Sequence, residues 1–258
     1  MAKIISIANQ KGGVGKTTTT INLCANLARI GQKVLVIDLD PQANCSTGLG
    51  FDKKSSSADV YDVIMKQVKP KQGIRKTKIK NLYLMPSTLN LAGATVELVE
   101  LKDREYIMKN ILKELLSHEN DPYNYIFIDC PPSLGVLTLN ALTASQTILI
   151  PIQTEFFALE GLSLLMQTIK MVQENLNPAL QIEGVLLTML DHRTRLTDDV
   201  IKEVIAYFKK KVYKTMIPRN VRLAEAPSYG EPITLYDANC VGNKAYFSLA
   251  NEFLELNN

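Results

Sequence analysis

The chain has 258 residues, a net charge of +3 and 46% hydrophobic residues, which is enough apolar content for a sizeable core and speaks against disorder. Such mild basicity means that any nucleic-acid contact must come from local clustering of charge. Cys24, Cys45, Cys130 and Cys240 form no C-x-x-C pair and have no histidine partners at metal spacing, which speaks against a zinc site or a disulfide framework and favours reduced thiols.

In chain order, "MAKIISIAN" runs from one lysine into an apolar stretch and then a glycine loop, which leaves no room for a signal peptide. The longest apolar runs, such as "TILIPI", are too short to span a bilayer, so a soluble intracellular protein is expected. Short β-branched runs at 3–8, 33–38, 82–86, 125–129, 147–152, 182–189 and 212–218 predict buried parallel strands. Amphipathic patterns at about 16–30, 104–117, 157–175, 197–210 and 242–256 predict helices between them. That alternation predicts an α/β fold with a doubly wound, mostly parallel sheet and helices on both faces. No linker, repeat or low-complexity segment interrupts it, so one domain over 1–258 is expected; the only composition shift is a basic, loop-like stretch at 66–80.

Between the first strand and the first helix stands Lys11-Gly12-Gly13-Val14-Gly15-Lys16-Thr17-Thr18. The plain G-x-x-x-x-G-K-[ST] phosphate-loop pattern fails here, because Gln10 occupies the first glycine position. The context still suits phosphate: glycines let successive N–H groups converge on an anion, and a helix N-terminus adds partial positive charge. Lys16 would reach the β/γ-phosphates, with the Thr17 hydroxyl on Mg²⁺. Lys11 has no such task in its own loop. Ligands in open α/β sheets bind at the carboxyl ends of strands. There "VLVIDLDPQ" places Asp38, with Asp40 two residues on, and "YIFIDCPPS" places Asp129. A strand-end carboxylate can hold magnesium-bound water, since Mg²⁺ takes few direct protein ligands.

Together "KGGVGKTT", "DLDPQ", "IDCPPSL", "TMLDHRT" and "IPRNVRLAEAPSYGEPI" resemble the ParA family of DNA-partition ATPases, of the short Soj-like chromosomal type, within the MinD/ParA class of deviant Walker P-loop ATPases. The likeness runs over nearly the whole chain. It implies an ATP-sandwich homodimer in which Lys11 reaches the nucleotide of the partner subunit while Lys16 serves its own. Thr17 resembles the Mg²⁺ ligand, Asp38 and Asp129 the outer magnesium carboxylates, and Asp40 the residue that orients the attacking water. A lysine supplied in trans would make hydrolysis slow and dependent on dimerisation. Pro218 and Arg219 match the adenine-binding segment. Arg193, Arg195 and Arg222 fall in motifs resembling the region that contacts double-stranded DNA without sequence preference.

Seven Lys or Arg residues lie between 66 and 80, either as a solvated basic loop or as a phosphate-facing patch. Lys209, Lys210 and Lys211 close a helix whose first turn holds Asp198 and Asp199, as the helix dipole favours without any partner. The cysteines read as small core or loop residues, Cys130 unreactive beside Asp129. His118 and His192 are too isolated for a metal site, and Met and Leu at 159–171 suggest a buried helix face.

A MinD-like membrane ATPase would carry a lysine-rich C-terminal amphipathic helix. "NKAYFSLANEFLELNN" instead has no base after Lys244 and carries Glu252 and Glu255. A nitrogenase-reductase-like enzyme would need cluster-ligating cysteines, which these four do not match; a synthetase-like enzyme of the same class is the metabolic rival. A ParA-like protein positioning another cargo also fits. Because the first strand begins at residue 3, no N-terminal DNA-reading domain is expected, which leaves site-specific reading to a ParB-like partner and places the protein on the nucleoid in the cytoplasm. The replicon served, chromosome or plasmid, stays open.

Overall fold

The computed structural model describes residues 2–53, 57–117, 123–155, 158–191 and 195–257, the backbone alone at 158–161 and 195–196. In chain order the strands are β1 (Lys3–Ile7), β2 (Val34–Asp38), β3 (Arg75–Lys76), β4 (Leu82–Met85), β5 (Tyr125–Asp129), β6 (Thr147–Gln153) and β7 (Gln181–Thr188). The α-helices are α1 (Lys16–Arg29), α2 (Asn44–Gly48), α3 (Val60–Ile64), α4 (Leu91–Glu97), α5 (Ile107–Ser117), α6 (Val136–Ala144), α7 (Ala158–Asn175), α8 (Arg195–Phe208), α9 (Val221–Glu225), α10 (Ile233–Tyr236) and α11 (Val241–Asn257). The sheet order is β3-β4-β2-β5-β1-β6-β7, all parallel except the β3–β4 pair.

Side chains alternate across a strand, and here both faces are buried. Val34, Val36, Tyr125 and Phe127 join a core with α1, α2, α9, α10 and α11, whereas Leu35, Ile37, Ile126 and Ile128 join the core packed by α3 to α8. Two apolar layers thus fix the sheet in register. Asp38 and Asp129 are register partners on adjoining strands, and Ile7 pairs with Asp129, so the glycine loop after β1 and both aspartates emerge side by side.

Three expectations need correction. The 212–218 segment is not a ladder strand: it makes two isolated bridges, Val185 with Val212 and Leu190 with Pro218. Its Lys214 and Thr215 amides donate instead to the Glu252 carboxylate, at 2.6 and 2.8 Å, and so turn away from β7. The 66–80 stretch is more than a loop, because it contains a 3-10 turn and β3, a charged edge strand of the kind that blocks further pairing. Lys209–Lys211 form a 3-10 turn beyond α8, with Lys209 at φ 52°, not its last α-helical turn. Within 159–171, Leu162, Leu165 and Ile169 are buried, while Leu164 and Met171 are exposed. His118 and His192 lie outside the described residues.

Helix α11 spends its apolar face on the sheet, with Tyr246, Leu249, Ala250 and Phe253 buried and Phe253 packed on Tyr125 and Phe127. No helix among the described residues is long and apolar enough to cross a membrane.

Candidate nucleotide site

The glycine loop turns through left-handed backbone at Gly13 (φ 76°) and Gly15 (φ 88°), a conformation that costs other residues roughly 1–2 kcal/mol. Gly15 is the N-cap of α1 and offers no side chain to its first-turn amides. Those N–H groups are therefore open to an anion at the positive end of the helix dipole. The loop is tied down from β7, where Thr188 Oγ1 donates to the Val14 carbonyl at 2.8 Å.

Lys16 is buried, with its Nζ donating to the Lys11 carbonyl at 3.1 Å. Burial pushes its pKa down, and the neighbouring negative charges, Asp129 foremost, pull it part of the way back. Lys11 points elsewhere: its Nζ pairs with Glu155 Oε2 at 3.0 Å, and both side chains are partly exposed.

Asp129 accepts from Thr17 Oγ1 and Thr20 Oγ1, both at 2.8 Å. Asp38 accepts from the Ser46 amide at 2.8 Å, the Ser46 hydroxyl at 2.7 Å and the Asp40 amide at 3.1 Å. Burial pushes both carboxyls above the ordinary range. The charge of Asp38 raises Asp129 further, while the bonds from Ser46 and Asp40 hold Asp38 partly down. Asp40 is nearly buried at the mouth of the site and accepts from the Gln42 amide at 2.9 Å. Two register-matched carboxyls held only by neutral donors, with a threonine hydroxyl against one of them, make an oxygen-rich donor set that fits a hard divalent cation such as Mg²⁺.

Beside the loop opens a largely apolar cavity of about 350 Å³, lined among others by Thr18, Thr188, Met189, Pro218, Arg219 and Tyr246. Pro218 and Arg219 thus face the same space as the loop, as the sequence suggests. Thr20, Ser46, Thr188 and Tyr246 are additions. Only Thr20 left a sequence signal, since it stands one helical turn after Thr17 on the same side of α1. Burial first, and then Asp129, push the Cys130 thiol well above its usual pKa, in keeping with an unreactive cysteine.

The DNA residues are less gathered. Arg193 lies outside the described residues and Arg195 is the first residue of α8. Arg222 is exposed and paired, at 3.0 Å to Glu225 and 3.7 Å to Asp237.

This fold, with its glycine loop and paired strand-end aspartates, defines a P-loop NTPase of the MinD/ParA class. A family profile described as "AAA domain" matches residues 2–182. The chain is 54% identical over 252 residues to the "Sporulation initiation inhibitor protein Soj" of Bacillus subtilis, covering 98% of each, and 49% identical to the "Chromosome partitioning protein ParA" of Caulobacter vibrioides, covering 98% of this chain and 94% of that one. Among solved structures, a cobyrinic acid a,c-diamide synthase from Mycobacterium smegmatis with bound ADP and magnesium superposes with a TM-score of 0.85 at 35% identity, covering 99% of this chain and 95% of that one. The chain belongs to the Soj/ParA family of chromosome-partitioning ATPases.

Proposed function

We propose that the chain binds MgATP in this site, pairs face to face with a second copy across it, and in that state binds double-stranded DNA without sequence preference. Slow, dimer-dependent hydrolysis would then drive partition of a chromosome or plasmid, on the nucleoid and together with a ParB-like centromere-binding protein. The observation that carries the reading is the convergence of Thr17, Asp38 and Asp129 beneath the uncapped start of α1. The 54% identity to Soj favours partition over a synthase reaction, for which the likeness is 35%.

In this reading the amides of Gly12 to Thr18, Val14 included, cradle the phosphates, Lys16 neutralises them, and the cavity at Pro218 and Arg219 takes the base. Thr17, Asp38 and Asp129 would hold magnesium, which supplies charge neutralisation at the transferring phosphoryl group. Asp40 positions the attacking water. Lys11 must leave Glu155 to reach the partner's nucleotide; an exposed pair of this kind is worth roughly 0–1 kcal/mol, so the exchange is cheap.

Gly12 separates binding from pairing. A Cβ built on Gly12 meets nothing within 4 Å, so Gly12→Val fits inside the subunit and encounters an obstacle only where a second copy approaches. The variant should keep wild-type ATP affinity and stay monomeric by light scattering; an ATP-dependent dimer would count against face-to-face pairing.

For DNA, one patch makes few phosphate contacts, whereas two patches on one duplex make the second engagement intramolecular and raise avidity by roughly 10²–10⁴. Binding to two unrelated duplexes should be equal, should require ATP over ADP, and should fall as salt rises. Arg193→Glu and Arg222→Glu should each weaken it at least ~10-fold. Equal binding with ADP, preference for one duplex, or undiminished binding by both folded variants would remove this assignment.

A further inference from the structure

Helix α4 and the turn after it are apolar on two sides. Leu91, Ala94 and Leu98 face the core and are buried. Leu89, Val96 and Val99 face outward and are 70%, 73% and 57% exposed. Residues 89, 92, 96 and 99 recur at three- and four-residue steps, so Leu89, Ala92, Val96 and Val99 fall on one stripe of the helix surface, with the small Ala92 and Gly93 at its middle. Such spacing is a seam for a second helix, and the small residues let its backbone come close.

Beyond Val99 the stripe runs into a groove of about 450 Å³, whose apolar wall includes Leu134, Val136 and Leu139. The surroundings are acidic. Glu97 and Glu100 flank Val96 and Val99, and Asp62 lies next to Tyr61, whose hydroxyl donates to Glu97 at 3.1 Å. That bond, followed by burial and the charges of Glu97, Asp62 and Asp59, raises the tyrosine pKa. Lys102 and Arg104 are the cations of this segment, and Arg104 is already bonded to Glu105 and to the Val99 carbonyl. An apolar stripe within an acidic frame is complementary to an amphipathic helix whose flanks are basic.

The same segment is wired to both aspartate loops. The Ser87 amide donates to Ser46 Oγ at 2.8 Å, and that hydroxyl donates to Asp38 at 2.7 Å. At the other end, Asn140 of α6 donates to the Arg104 carbonyl at 2.7 Å and accepts from the Met108 amide at 3.0 Å, and α6 follows the loop that leaves Asp129.

We infer that the stripe of Leu89, Ala92, Val96 and Val99, with the groove beyond Val99, docks a short amphipathic basic helix from a partner protein. The site deepens the reading above, since it gives the partner of the partition ATPase a place to bind next to the residues that surround the phosphates.

The test uses the full chain with ATP and three labelled synthetic peptides of equal length: an amphipathic leucine–lysine helix, its leucine–glutamate counterpart, and a lysine-rich peptide without leucine. By fluorescence anisotropy the leucine–lysine peptide should bind at least ~10-fold more tightly than either control. It should lose at least ~10-fold in affinity with Val96→Asp/Val99→Asp, and less with the milder Val96→Ser/Val99→Ser. Both variants change exposed positions and should keep the wild-type circular dichroism and ATP-dependent dimer. Equal binding by the folded Asp variant, or by either control peptide, overturns the proposal. So does loss of the ATP-dependent dimer in the folded variants, because the stripe would then cover a second copy of the chain. A wild-type protein that never dimerises with ATP would remove the sandwich reading instead, and leave the peptide result standing by itself.

Discussion

Lys16→Ala should lower ATP affinity at least ~30-fold, corresponding to the roughly 2 kcal/mol or more that a charge-assisted contact to a buried anion contributes. Lys16 sits within the loop itself, buried, with its Nζ on the Lys11 carbonyl and no closer anionic partner than the surrounding carboxylates. A cation already stripped of water and held by one neutral carbonyl loses little on turning to a phosphate, so most of the attraction is available for binding. Alanine removes that attraction and leaves Asp129 and Asp38 facing the incoming phosphates without it. Isothermal titration reads the affinity, and the ATP-induced rise in unfolding temperature should shrink with it. Wild-type affinity together with normal turnover in a folded variant would defeat the assignment of this loop to phosphate.

Asp40→Ala should behave oppositely, keeping binding and losing turnover by ~10²–10⁴-fold, the range typical for removal of a positioned acid or base. The Asp40 carboxylate accepts only the Gln42 amide, whereas Asp38 and Asp129 are gripped by Ser46, Thr17 and Thr20. Asp40 is thus the carboxylate of the three with room to hold water, and its loss leaves the magnesium donors in place. The variant should bind ATP, form the dimer and stall there. Hydrolysis at the wild-type rate, or failure to dimerise with ATP, would transfer the role to another group.

The contrast between these two residues shows what could be read in advance. Lys16 and Asp40 were visible because each stands in a short motif at a strand end. Their partners were not, because Ser46, Thr188 and Glu155 lie 8, 172 and 144 residues from the groups they serve and were brought there by the sheet. Helix α6 was missed for a related reason. "VLTLNALTA" is buried on nearly every side, so it has no polar face and hence no period to detect.

The sequence by itself determined the alternation of strand and helix, the glycine loop, and the aspartates at two strand ends, since each is set by local conformational preference and by the burial of contiguous apolar runs. The tertiary structure decided the rest. Parallel pairing of β2 with β5 set Asp38 opposite Asp129, an arrangement that depends on sheet order and not on spacing along the chain. Competition for backbone amides by Glu252 kept 212–218 from becoming a full strand. Packing of α4 chose Leu91, Ala94 and Leu98 for the core and left Leu89, Val96 and Val99 in water. The sequence marks all six as apolar, and only the neighbours assembled around the helix distinguish a core face from an exposed one.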